Sequence, residues 1–178
     1  VYVAGAYFSY ADPGYGSFAA TVATRSPTIY IGANDGMLHA FNATSGASGG
    51  SERWAFVPSA MLPSMYTLAN QDYGKANDPL TNDPNNHRSF VDGPVAVADI
   101  CESGCTSNST ASWKTILVGS YGTGARGYYA LDVTNPASPT VLWEFTTTPV
   151  SLGGSAIRGD ADVGYATGQA VITKDGSG

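Results

Sequence analysis

Cys101 and Cys105 are the only thiols of the chain, separated by three residues in a polar stretch, Cys-Glu-Ser-Gly-Cys-Thr-Ser-Asn. Two sulfurs this close could share a disulfide or supply half of a metal site. A turn at Gly104 lets so short a loop close on itself. The closed ring is small, so its entropic contribution is modest. No second Cys pair or His pair accompanies it, as a zinc site would need. The pair is expected to form a disulfide, with two free thiols or a metal-bound pair as the alternatives. A disulfide implies an oxidising compartment.

Acid–base chemistry needs a base within reach of a tuned partner. His39 and His87 stand 48 residues apart, each without another His or Cys nearby. Structural hydrogen bonding is expected of both, with His87-Arg88 placed to anchor the chain where it re-enters at Val91-Asp92-Gly93. Asp35, Asp92 and Asp132 fall at strand ends, where carboxylates fix turns through backbone N–H groups. Gly119-Ser-Tyr-Gly-Thr-Gly-Ala-Arg-Gly127 superficially has the composition of a phosphate loop, but a strand pattern follows it instead of a helix. It reads as a hairpin connection. Arg158-Gly159-Asp160 spells an integrin-type tripeptide; the plainer reading is a polar loop leading into Gly164-Tyr165. Asn42-Ala-Thr44 and Asn108-Ser-Thr110 match the glycosylation sequon and are read as incidental. No residue is assigned a catalytic, cofactor-binding or metal-binding role.

The scaffold under these residues is stated twice. Thr28-Ile-Tyr-Ile-Gly32, His39-Ala-Phe-Asn42 and Trp54-Ala-Phe56 recur as Thr115-Ile-Leu-Val-Gly119, Tyr129-Ala-Leu-Asp132 and Trp143-Glu-Phe145. The offsets are 87, 90 and 89 residues. A near-constant offset across three strand-like segments marks a repeated β unit, and β repeats of this size suggest a propeller. Residues 17–23 and 94–99 are small apolar runs that suit inner strands near a central channel. Trp54, Phe56, Trp143 and Phe145 suit the wider outer space between units. Asn34-Asp35-Gly36 is a hairpin signal. Residues 168–173 resemble 93–98 and would begin a third unit.

The predicted fold class is all-β. It is a partial β-propeller of four-stranded antiparallel blades, about two blades plus one strand of a third, with a short helical insertion. Blade one covers about 17–57, the insertion 58–90, blade two about 91–146 and the start of the third 165–178. Residues 59–69 read as a short helix with Pro63 near its start, and 70–86 as a polar loop. The insertion suits either a functional role or a cover for a seam between blades. A ring needs roughly 4–8 blades, so the chain, which opens on Val1-Tyr2-Val3 without Met, is expected to be part of something longer.

Composition narrows the function. Charged residues make up 12% of the chain and the net charge is −6. Eight scattered basic residues form no phosphate-binding stripe, which argues against nucleic acid as a partner. No apolar run approaches the roughly 20 residues of a membrane helix, and no signal peptide is visible.

Four strings carry a resemblance. They are Ile31-Gly-Ala-Asn-Asp-Gly-Met-Leu-His-Ala-Phe-Asn42, Trp54-Ala-Phe-Val-Pro-Ser59, His87-Arg-Ser-Phe-Val-Asp-Gly-Pro94, and Arg126-Gly-Tyr-Tyr-Ala-Leu-Asp-Val-Thr-Asn-Pro136 leading to Leu142-Trp-Glu-Phe145. In this order they resemble the C-terminal propeller of the PilC/PilY family of type IV pilus tip adhesins and biogenesis factors. The resemblance implies a secreted protein at the bacterial cell surface or pilus tip, non-enzymatic, acting in adhesion and pilus assembly. Its implied partners are other pilus-tip proteins or minor pilins, the rest of the propeller, and a host or abiotic surface. Some members bind calcium through an Asp-rich loop downstream of the matched region. Asp160-Ala-Asp162 offers only two carboxylates where calcium takes about 6–8 oxygens, so no cofactor is expected within this chain. A quinoprotein-type dehydrogenase fragment is the alternative, sharing the Asn-Asp-Gly hairpin and the Trp-x-Phe strand. Such enzymes stack the quinone on adjacent cysteines, whereas three residues separate Cys101 from Cys105. A generic protein-binding propeller scaffold is the third reading.

Overall fold

β-Branched and aromatic residues alternate with small ones along most of the paired segments, the pattern of a strand with one face buried. A computed structural model describes residues 1–74, 87–147 and 157–173. The polar stretch 75–86, read as part of a loop, lies outside the described residues, as does the end of the expected third unit, 174–178.

Two antiparallel sheets carry the fold. The first contains β1 (Tyr2–Val3), β2 (Thr28–Gly32), β3 (Leu38–Asn42) and β4 (Glu52–Phe56), in that spatial order. The second contains β5 (Val95–Ser103), β6 (Ser112–Ser120), β7 (Gly122–Asp132), β8 (Thr140–Thr146) and β9 (Ile157–Gly159), also in chain order. β9 joins the outer edge parallel to β8. β10 (Tyr165–Ala166) pairs with the first half of β7, while the second half pairs with β6.

Residues 17–23 are not the inner strand of the first unit. Tyr15–Val22 is a helix, α1, entered through Gly14 at φ +75°. Tyr15, Phe18 and Val22 fall three and four residues apart, which puts them on one side of a helix. Tyr15 and Val22 are buried, and Ala19-Ala20 favour the helix locally. The inner place goes to β1, so the first sheet begins at Tyr2 rather than at 17. Residues 168–173 are likewise not strand. Ala170 and Ile172 pack on the far face of the second sheet, and Gln169 Nε2 donates to Val95 O at 3.1 Å. In the insertion, Leu62–Ala69 is a 3₁₀ helix with Pro63 in its first turn. Gly122 and Gly124 lie within β7 rather than in an open loop.

Register corrects the repeat by one residue. Tyr30 pairs with Ala40 and Ala40 with Trp54; Val118 pairs with Ala130 and Ala130 with Trp143. The central strands therefore match at 88, not 87, so Tyr30 corresponds to Val118 and Ile29 to Leu117. One residue of slip exchanges the two faces of a strand. A bulge confirms the match: register shifts between Ala40 and Phe41 in one sheet and between Ala130 and Leu131 in the other.

The main core is the seam between the sheets. Tyr30, Leu38 and Ala40 from the first, with Trp54 and Phe56, meet Val97, Leu117, Tyr129 and Leu131 from the second. Phe56 and Tyr129 rings lie 5.7 Å apart, and Trp54 Nε1 donates to Pro136 O at 2.8 Å.

Candidate functional site

Two carboxylates are buried among the described residues, Asp99 and Glu144, both in the second sheet. A buried charge persists only when hydrogen bonds replace its water. Glu144 sits on β8 opposite Tyr129. Its Oε2 accepts from Ser59 N at 2.8 Å, Ser59 Oγ at 2.6 Å and Tyr121 OH at 3.1 Å. Ser59 follows the Trp54-Ala-Phe-Val-Pro run, so Glu144 clamps the exit of the first sheet, and the start of the insertion, onto the second. Burial, together with the charge of Glu144, pushes the Tyr121 phenol above its ordinary range.

Asp99 does the same at the inner end. Its Oδ2 accepts from Tyr7 N and Tyr15 OH, both at 2.7 Å, and its Oδ1 from Thr115 Oγ1 at 2.6 Å. Arg25 Nη1 donates to Thr115 Oγ1 at 2.7 Å, and its other nitrogens hold the carbonyls of Ala4 and Gly5. Three segments of chain thus converge on one carboxylate, and Arg25 braces one of them through Thr115. Beside it lies a hollow of about 340 Å³ lined by Tyr10, Asp12, Trp113, Cys101 and Cys105. Tyr10, Tyr15 and Phe18 all ring Trp113, whose Nε1 donates to Pro13 O at 2.9 Å.

A third cluster is more open. His39 Nε2 lies 2.8 Å from Asp35 Oδ2 and Nδ1 2.6 Å from Glu52 Oε1. Burial acts to lower the His39 pKa, but the hydrogen bonds and charges of Glu52 and Asp35 outweigh it and raise the value above 6.5. With both ring nitrogens engaged by carboxylates, His39 ties the Asp35 turn to Glu52 of β4.

The sequence-derived residues are placed as follows. Cys101 and Cys105 are joined as a disulfide with Cα atoms 5.9 Å apart, and Gly104 turns between them at φ +64°. Asp35 Oδ1 accepts from Met37 N, Asp132 Oδ1 from Thr134 N, and Asp92 from the Thr123 backbone and hydroxyl. Burial alone would raise the Asp92 pKa; the hydrogen bonds it accepts, those from Thr123 foremost, hold it below the usual carboxylate value. Tyr73 OH accepts from Arg88 N and donates to Arg88 O, both at 3.3 Å, where the insertion returns. Phe90 N and Val91 N then dock on Asn34 Oδ1 and Ala33 O of the first hairpin.

Arg158 and Gly159 belong to β9, and Asp160 N donates to Thr146 O at 2.9 Å. The tripeptide is therefore tied to a sheet edge instead of lying in a loop, with Gly159 and Asp160 exposed. Asp160 Oδ1 accepts from the Asp162 amide at 2.9 Å. No group of three His, Cys, Asp or Glu side chains among the described residues is arranged to hold a metal ion. No helix among them is long and apolar enough to cross a membrane. Sequence reading missed Asp99 and Glu144 as clamps. A carboxylate in the middle of an otherwise apolar strand was the available signal, since such a charge must find partners.

Two twisted antiparallel sheets stacked face to face, with matching registers and matching bulges, are successive blades of a β-propeller. The chain belongs to the PilY1 β-propeller domain family, whose model matches residues 1–178. It is 38% identical over 143 residues to a type IV pilus biogenesis factor PilY1 homolog of Xylella fastidiosa, covering 80% of this chain and 10% of that protein. It is 34% identical over 165 residues to the type IV pilus biogenesis factor PilY1 of Pseudomonas aeruginosa, covering 92% and 12%. The crystal structure of the P. aeruginosa PilY1 C-terminal domain superposes with a TM-score of 0.54 at 34% identity, over 80% of this chain and 24% of that one. The chain thus spans about a tenth of the length of the curated relatives it matches.

Proposed function

We propose that this chain is a non-enzymatic module of a type IV pilus biogenesis and adhesion protein, held at the bacterial cell surface or pilus tip. One observation supports it most: both carboxylates buried among the described residues, the groups a catalytic reading would recruit, are committed to joining chain segments. Ser59 and Tyr121 occupy Glu144, and Tyr7, Tyr15 and Thr115 occupy Asp99. Such clamps suit a rigid scaffold that bears load and presents surface. The partners that follow are minor pilins or other tip proteins, and the surface to which the pilus attaches. We assign no cofactor to this segment.

The test is genetic and biochemical. Deleting the segment in frame in a piliated bacterium is expected to abolish surface pili and twitching. Restoring it with the Glu144→Ala substitution is expected to restore both only in part. Normal piliation after deletion would overturn the reading. So would quinone absorbance and alcohol-dependent dye reduction in the purified protein.

A further inference from the structure

The chain has a net charge of −6 and only eight basic residues, yet two of them stand in the walls of one hollow. Its volume is about 580 Å³, within the range of small-ligand pockets. Three pieces of chain enclose it: the end of α1 and the segment after it, residues 21–26; Arg53 of β4; and the turn from β7 to β8, residues 132–140. Hydrogen bonds fix these walls. Ala43 N donates to Pro27 O at 2.9 Å, Trp54 Nε1 to Pro136 O at 2.8 Å, and Arg25 Nη1 to Thr115 Oγ1 at 2.7 Å. The shape therefore exists before anything enters it.

The two cations are not equally engaged. Arg25 holds the carbonyls of Ala4 and Gly5 as well as Thr115, so it contributes mainly charge. Arg53 Nη2 donates to Asn42 Oδ1 at 2.9 Å, and its Nε is buried without an acceptor. A guanidinium carries five N–H donors in a planar fork, so most of the Arg53 donors are open. Neither guanidinium is in a salt bridge among the described residues. Two uncompensated cations lining one hollow favour an anion there.

The remaining walls call for hydroxyls. Asp132 Oδ1 accepts from Thr134 N at 2.9 Å, while its Oδ2 lies 3.6 Å from Lys114 Nζ, too far for a good hydrogen bond. Asp132 thus retains accepting capacity inside the hollow. Six of the thirteen lining residues are Ser or Thr, which both donate and accept. A phosphate dianion would meet Asp132 with like charge, and a simple hydrocarbon acid would leave the hydroxyls unanswered. A monoanion with several hydroxyls satisfies both ends. We infer that this hollow binds a saccharide bearing one carboxylate, such as a uronic acid. The carboxylate sits against the Arg53 fork with the Arg25 charge beside it, and the ring hydroxyls meet Asp132 and the Ser/Thr walls. The inference goes beyond the pilus reading and does not rest on it.

Ligand-observed saturation-transfer NMR tests it in the full-length polypeptide that carries this sequence, with D-glucuronate as the probe. Glucuronate is expected to bind in the millimolar range or tighter. Glucose lacks the carboxylate and acetate lacks the hydroxyls, so each should bind at least about tenfold more weakly. Arg53→Gln should weaken glucuronate by at least about tenfold. Arg53→Lys should recover only part of that, because a point charge does not reproduce the fork. Ser138→Trp, at an exposed position of the turn, fills the hollow and keeps the test open should the Arg53 variants fold poorly. It should abolish binding at an unchanged melting temperature. Absence of glucuronate binding to the wild type overturns the inference, as does equal affinity in folded Ser138→Trp. Acetate or inorganic phosphate binding as tightly as glucuronate also overturns it, since the hollow would then be a general anion site.

Discussion

Replacing Glu144 by alanine removes the clamp between the blades, and the structure sets the size of the effect. Three donors lose one shared acceptor: Ser59 N at 2.8 Å, Ser59 Oγ at 2.6 Å and Tyr121 OH at 3.1 Å. A hydrogen bond to a charged group contributes a net ~1.5–3 kcal/mol. All three bonds fall on Oε2, so they weaken one another and cannot be added. The two hydroxyls can also turn to other acceptors, whereas the Ser59 amide is fixed. We take about 3 kcal/mol for the loss. For a chain of this size, each kcal/mol lowers the melting temperature by roughly 2–4 °C, giving a fall of about 6–12 °C. Glu144→Gln keeps a neutral acceptor of the same shape and should lose about half as much, because charge-assisted bonds are roughly twice as strong as neutral ones. Ser59→Ala supplies the decisive comparison. In the wild-type background it should cost about 1–2 kcal/mol, and in the Glu144→Ala background close to nothing, a coupling of at least ~1 kcal/mol. Thermal and urea unfolding of the four proteins measure this cycle. A Glu144→Ala loss below ~1 kcal/mol, or an equal Ser59→Ala cost in both backgrounds, refutes the clamp.

Three other outcomes follow from the same geometry. His39 has its pKa raised in the folded state, so its contribution is fully present below the unfolded value of 6.5 and lost as pH rises through the folded value. Glu52 and Asp35 are 45% and 44% exposed, which keeps the effect small through screening; the urea midpoint should fall between pH 6 and neutral-to-mildly-alkaline pH in the wild type, and His39→Gln should remove that part of the slope. Gly124 lies so close to the Phe90 carbonyl that a Cβ would collide with it; because backbone and not a flexible side chain must give way, Gly124→Ala should cost at least about 2 kcal/mol, read as a lowered melting temperature, and an unchanged one refutes the contact. Opening the Cys101–Cys105 ring should cost about 2 kcal/mol from loop entropy; reductant should lower the wild-type midpoint to that of the Cys101→Ser/Cys105→Ser variant and leave the variant itself unmoved.

Much of the architecture was legible because strands announce themselves in local chemistry. Thr28-Ile-Tyr-Ile and Thr115-Ile-Leu-Val are β-branched, the Asn-Asp-Gly turn is a hairpin signal, and the paired Trp-x-Phe segments mark outer strands. The run 17–23 was ambiguous for a physical reason. Ser, Ala, Thr and Val fit the cramped inner strand of a blade, but Ala also has the highest helix propensity. What decides is the wider window: Tyr15, Phe18 and Val22 recur at helical spacing, and the helix carries the Tyr15 hydroxyl that donates to Asp99. The clamps were less legible still, since Ser59 and Glu144 are 85 residues apart and Tyr15 and Asp99 are 84. No local pattern encodes such partners.

The one-residue slip in the repeat shows what kind of information was missing. Matching Gly32 to Gly119 is the better alignment of residue types, yet it places Tyr30 opposite Leu117, and these two face each other across the same seam. In a ring, corresponding residues must point the same way round, so two equivalent side chains cannot meet in one seam. The offset of 88 satisfies that condition: Tyr30 faces the second blade, and Val118 faces onward, away from the first, toward Ala170 and Ile172. Rotational symmetry therefore selects the register where residue similarity does not.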